Sequence, residues 1–257
     1  MELNLKGRTA LVTGGSRGIG LGVARMLAAE GCNLHLASIN PANLEAARKE
    51  ITSAHRVNVT IHAMDLAKTE NAVKLAQACG PLDILINNAG AIPHGTITAT
   101  DDKSWRDGWD LKVFGYINLT REIYREMCAK RRGVIVNVIG INGERPDPNA
   151  MSGTMANAGL MAMTRALGVE SVNHGVRVVA VNPGGTETDR QVVRWKARAE
   201  KELGDANRWR ELTTGFPLGR LASVDEVAAM VVFLCSERSG YTSGTVVTVD
   251  GGLSGRK

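Results

Sequence analysis

Apolar positions along the chain follow two alternating rhythms. Short runs dense in Val, Ile, Leu and Ala ("RTALVTG", "NLHLAS", "VNVTIHA", "LDILINN", "GVIVNVI", "VRVVAVN" and "TVVTVD") read as seven strands. The stretches between them, such as "GIGLGVARMLAAEG" and "NLEAARKEI", repeat apolar residues every three to four positions, as an amphipathic helix does. Strands alternating with helices predict an α/β fold: a doubly wound, seven-stranded parallel sheet with helices on both faces. Capping signals agree. Asn40 followed by Pro41 marks a helix start, and Ser223 with Glu226 forms a capping-box pattern before "VAAMVVFL". No linker, repeat or low-complexity stretch interrupts the pattern, so residues 1–257 are expected to form a single domain. The segment 189–215 departs from it. Long, charged and carrying Trp195 and Trp209, it sits between the sixth strand and a late helix, where a substrate lid is expected.

Composition narrows the function classes. Apolar residues make up 44% of the 257, enough for a large core. No apolar run is long enough to span a membrane. "MELNLKGRTALVTGG" enters a strand pattern with no basic start and apolar signal segment, so a cytoplasmic location is expected. The four cysteines, Cys32, Cys79, Cys128 and Cys235, lie far apart without metal-ligand spacing, and are expected to be reduced, with no metal centre. Net charge is +5, but the basic residues are scattered. The densest group, "AKRRG" at 129–133, reads as a helix end complementing the helix dipole, so nucleic acid is not an expected partner.

The first candidate chemistry lies in "TALVTGGSRGIGLGVARML". Gly14, Gly18 and Gly20 follow a strand and open a helix, with Ser16, Arg17 and Ile19 between them. The first glycine permits a tight turn. The others let backbone and helix approach a pyrophosphate at the helix N-terminus. "TGGSRGIG" resembles the TGxxxGxG fingerprint of the short-chain dehydrogenase/reductase family. "NNAG" at 87–90, "VNPGGTET" and "YTSGTVVTVDGG" resemble three further motifs of that family, in its order and spacing. The resemblance covers nearly the whole chain and implies a Rossmann fold, a nicotinamide cofactor, a small-molecule substrate and a homotetramer or homodimer.

By that resemblance, Asn87, Ala89 and Gly90 line the adenosine and ribose side, and Asp65 and Leu66 meet the adenine. Pro183, Gly184 and Thr188 lie near the nicotinamide. A carboxylate at the end of the second strand would bind a ribose 2′-hydroxyl and repel a 2′-phosphate; Ser38 stands there instead, and Arg17 adds positive charge. Together they favour NADP(H) over NAD(H), although Ile39 occupies the place of the family's usual arginine.

The family moves its proton with an Asn–Ser–Tyr–Lys set: tyrosine as acid or base, lysine lowering its pKa and binding ribose, serine holding the substrate oxygen, asparagine ordering water. Counting from neighbouring motifs, those positions here are Lys112, Gly140, Gly153 and Asn157. The only tyrosines are Tyr116, Tyr124 and Tyr241, and no lysine lies between Lys130 and Lys196, so no shift of register restores the set. Lys112 is the first candidate replacement, because partial burial lowers a lysine's pKa toward neutrality. A lysine lying along the helix surface is the alternative. Glu144, on the loop after the fifth strand, is the second candidate, against a solvated loop acid. Asn157 can still hydrogen-bond ribose. Ser152 and Thr154 are expected to cap or line a helix start, and His94 to be a loop histidine. Arg194, Lys196 and Arg198 in the lid segment suit an anion, or equally a solvated helix face.

Three functions fit: an NADP(H)-dependent oxidoreductase acting on a carbonyl, alcohol or activated double bond with an atypical proton donor; a non-catalytic NADP(H)-binding sensor or inactive subunit; and a lyase or isomerase using Lys112.

Overall fold

The computed structural model describes residues 2–256. The first half runs β1 (Thr9–Thr13), α1 (Gly18–Ala29), β2 (Asn33–Ser38), α2 (Pro41–Ala54), β3 (Val59–Ala63), α3 (Thr69–Cys79) and β4 (Ile84–Asn87). The second half runs α4 (Asp102–Trp109), a π-helical turn (Asp110–Phe114), α5 (Gly115–Lys130), β5 (Gly133–Val138), α6 (Met151–Ser171), β6 (Val176–Pro183), α7 (Asp189–Leu203), α8 (Val224–Cys235) and β7 (Val246–Val249). All seven strands pair in parallel in the order β3–β2–β1–β4–β5–β6–β7. The doubly wound, seven-stranded sheet expected from the apolar rhythm is therefore present.

Strand alternation distributes the apolar runs. Ala10 and Val12 of β1 join α1, α2 and α8 on one face, while Leu11 joins α3 and α5 on the other. The capping signals hold: Asn40 accepts the Asn43 amide at 3.0 Å, Ser223 and Glu226 form the reciprocal box, and Arg131 ends α5 in a left-handed conformation. Chain order reverses between β1 and β4, which opens a crevice at the carboxyl ends of the strands.

The 189–215 segment folds as α7 followed by a 3-10 stretch, Ala206–Thr213. Its two tryptophans are structural: Trp209 is buried, and Trp195 packs edge-on against Phe216 in an apolar cluster with Ala199 and Leu221.

Cys32, Cys79 and Cys235 are buried and all four thiols are free. Distant sequence positions hid one grouping. The donor atoms of His35, His62 and Cys79 lie within 4.8 Å of one another. The two imidazoles meet nitrogen to nitrogen at 2.9 Å with planes 15° apart, a hydrogen-bonding geometry, and burial lowers both pKa values.

Candidate active site

The crevice is a cleft of about 940 Å³ at the carboxyl edge of the sheet. Its entrance is the glycine turn. Gly14 has φ +64°, and a Cβ there would fall 2.9 Å from Asn88 Nδ2 and 3.2 Å from Ala89 Cα. Gly18 has φ +55° and faces Thr188 across the opening. Gly20, expected to let the helix approach a pyrophosphate, lies behind the cleft lining: a Cβ there would collide with the Gly14 carbonyl oxygen, so its missing side chain serves the close packing of turn on helix. Arg17 precedes α1 in extended conformation with no side-chain cap, which leaves the first-turn amides for an anion. The bare turn and open helix end fit a dinucleotide diphosphate.

Ser38, at the end of β2, accepts a 3.0 Å hydrogen bond from Ser16. Ser16, Arg17, Gly18 and Ile19 line this end, and Asp65 and Leu66 line its wall, the Asp65 carboxylate held by the Ala67 amide at 3.1 Å. Asn87 is a correction. Fully buried beneath the cleft, it donates to Thr120 Oγ1 at 3.0 Å and Asn137 Oδ1 at 2.9 Å. The next residue, Asn88, lines the cleft and ties the two loops together, its amide side chain donating to the Thr13 carbonyl at 2.9 Å. The doublet in "NNAG" was the available signal: the two asparagines split between core and cleft. Ala89, Gly90, Pro183, Gly184 and Thr188 line the cleft as expected.

At the far end, Lys112, Gly140, Gly153 and Asn157 converge from three elements onto the same space. Lys112 comes from the π-helical turn, a widened geometry that re-aims a side chain. Its Nζ donates to the Ile139 carbonyl at 2.6 Å, and desolvation lowers its pKa to about 8. Gly140 has φ +136°, a conformation that side chains rarely adopt. Gly153, at the start of α6, leaves open space, the nearest atom to an added Cβ being Ile92 Cγ2 at 3.7 Å. One turn on, Asn157 is buried with its Oδ1 unpartnered.

Glu144 is the second correction. It does not line the cleft: it is exposed and accepts from Thr248 Oγ1 at 2.8 Å, beside β7. The 3-10 turn Ile141–Gly143 packs against α6, since a Cβ on Gly143 would meet Met161 Cε at 2.6 Å, and carries Glu144 past the opening. Tyr116, one turn after Lys112, is buried and donates to the Val138 carbonyl at 2.9 Å, outside the cleft. The Ser152 hydroxyl is buried and unpartnered, its carbonyl accepting the Trp109 indole at 3.2 Å, and Thr154 Oγ1 accepts the Asp147 amide at 3.3 Å near the start of α6. His94 does line the cleft; burial, then Arg194, pushes its pKa down.

Residues 8–199 match the short chain dehydrogenase family. The chain belongs to that family. It is 31% identical to the 3-oxoacyl-(acyl-carrier-protein) reductase FabG of Chlamydia muridarum, over 99% of this chain and 100% of that protein. It is 34% identical to the galactitol 2-dehydrogenase (L-tagatose-forming) of Cereibacter sphaeroides, over 97% and 96% respectively. The crystal structure of L-sorbose reductase from Gluconobacter frateurii, complexed with NADPH and L-sorbose, superposes with a TM-score of 0.95 at 30% identity, covering 100% of both chains. Its relatives in the short chain dehydrogenase family are oxidoreductases. The described residues also include no helix long and apolar enough to cross a membrane.

Proposed function

We propose that this short chain dehydrogenase is an NADP(H)-dependent oxidoreductase acting on a carbonyl–alcohol pair, with Lys112 handling the proton. The observation that carries the proposal is the Lys112 ammonium, half-buried in the cleft lining where it donates to the Ile139 carbonyl, with desolvation lowering its pKa to about 8. Near neutral pH such a group still holds its proton and releases it readily. Bound cofactor supplies the hydride. The chain orients the nucleotide through the open α1 terminus, and Lys112 donates to the substrate oxygen or stabilises it as an alkoxide. Asn157 Oδ1, buried without a partner, is suited to accept from a ribose hydroxyl.

Support for NADP(H) comes from the Ser16–Ser38 pair and Arg17, with no carboxylate at the end of β2. The NADPH complex of the sorbose reductase agrees. The lid role of 189–215 is supported by Arg190, Gln191 and Arg194 of α7, which line the cleft. Exposed Phe114 in the turn before α5, and Met155 and Val169 on α6, suit assembly as a homodimer or homotetramer.

The absence of hydroxyls at positions 140 and 153 favours a second reading, a nucleotide-binding sensor without turnover. Single-turnover transfer of deuterium from 4-deuterated NADPH to a panel of ketones and aldehydes separates the two. Label in the product supports the oxidoreductase. Tight NADPH binding with no transfer to any member supports the sensor.

A further inference from the structure

We propose that the substrate is an anion, carrying a carboxylate or phosphate beside its reacting carbonyl, and that Arg194 with His94 holds that group. This inference rests on the oxidoreductase reading and adds the substrate class. The arginines of the lid segment divide by face. Arg198 turns outward, pairs with Glu202 and lies over the Trp195 ring; Arg208 pairs with Glu211, and Arg210 with Glu187. Arg190 and Arg194, one helical turn apart, line the cleft instead, with Arg17 from the glycine turn, Arg145 from the loop after β5, and His94. Among the described residues, none of these four arginines has a carboxylate within ion-pairing distance.

The cations crowd one another. Burial, then Arg194 and Arg17, depresses the Arg190 guanidinium; burial, then Arg194, depresses His94, with Asp147 acting the other way and Arg190 adding to the depression. Three carboxylates line the cleft against these cations: Asp65 accepts the Ala67 amide, Asp147 accepts the Asn149 amide at 2.8 Å, and Asp189, the neighbour of Arg190, forms no ion pair among the described residues. Lys112 adds a further cation to the floor. Like charges gathered in a cleft raise the local concentration of the opposite charge.

The bound nucleotide does not account for all of them. Arg17 lies at the Ser38 end, and Arg190, which feels Arg17 and reaches the Gly90 carbonyl at 3.5 Å, flanks the diphosphate stretch. Arg194 stands one helical turn further along α7 and is near enough to His94 to act on its imidazole. Its planar donor fork suits a carboxylate or phosphate, whereas a neutral polyol would leave it without a counter-charge.

The test uses matched substrates: a keto acid and its methyl ester, and a keto phosphate and the corresponding keto alcohol. With NADPH, kcat/KM is expected to favour one anionic member by about 10²-fold at low salt, an advantage that shrinks at high ionic strength. Which pair responds identifies carboxylate or phosphate. Arg194→Gln should cut that anionic-to-neutral ratio at least tenfold through KM, while Lys196→Gln, on the outer face of α7, should preserve it. Equal kcat/KM for both members of both pairs overturns the proposal, as does an Arg194→Gln ratio equal to wild type. Should no member turn over, the oxidoreductase reading fails alone, and calorimetric titration of both matched pairs into the enzyme–NADPH complex still decides the subsite: tighter binding of the anionic member of either pair sustains it, and equal binding within both pairs overturns it.

Discussion

The Lys112 ammonium lies 2.6 Å from the carbonyl oxygen of Ile139, the residue immediately before Gly140. One turn later Tyr116 donates to the preceding carbonyl, Val138, so one helical face supplies donors to the last two carbonyls before Gly140. This anchors Lys112 at the position where the family resemblance expects asparagine, while asparagine, as Asn157, occupies the place expected of lysine.

Replacing Lys112 with methionine keeps the length and removes the charge. Turnover should fall by at least about 10²-fold with NADPH affinity little changed. The pH profile gives a second readout. With a pKa near 8, the donor holds its proton below that value and loses it above, so wild-type reduction should decline as pH rises through about 8. Steady-state rates between pH 6 and 10 check this, and a Lys112→Met enzyme retaining wild-type kcat would exclude the lysine.

Gly18 combines φ +55° with a position facing Thr188. Gly18→Val should destabilise the fold by about 1–2 kcal/mol through its left-handed backbone and abolish nucleotide binding. Fluorescence titration with NADPH and a thermal melt measure the two effects separately. Undiminished affinity would remove the glycine turn from the cofactor site.

Ser38 shares its hydroxyl with Ser16 at the end of β2. A carboxylate there would oppose a 2′-phosphate at short range. Ser38→Asp should weaken NADPH binding at least about tenfold and shift preference toward NADH. Parallel titrations with both nucleotides test it, and an unchanged preference would put the phosphate elsewhere.

Gly153 has room for a side chain, whereas Gly140 at φ +136° does not tolerate one without strain. Gly153→Tyr with Asn157→Lys should therefore fold, and adding Gly140→Ser should lower the melting temperature further. If Lys112 moves the proton, the new phenol occupies substrate space and turnover on the native substrate should drop. A gain in rate would mark the chain as a disabled dehydrogenase instead.

Local chemistry alone determined much of this protein. The apolar rhythm sufficed for seven strands and parallel pairing, because a strand covered on both faces must be apolar throughout and its crossovers must be helical. Capping residues located helix starts at Asn40 and Ser223, since those bonds span only three residues. The glycine turn was legible because no other residue makes that close approach. Direction and contact were not legible. Nothing in "NNAG" says which asparagine faces the core; the hydrogen bonds from Asn87 to Thr120 and Asn137, residues distant in sequence, decide it. Nothing in "INGERP" says that the turn after β5 carries Glu144 to Thr248 rather than into the cleft. The arginines of 189–215 read as one charged face until α7 folded and its register divided Arg190 and Arg194 from Arg198. Periodicity and turn chemistry act over a few residues and survive in the sequence as patterns; which side chains share a cavity depends on packing between segments far apart along the chain, and only the tertiary structure decides that.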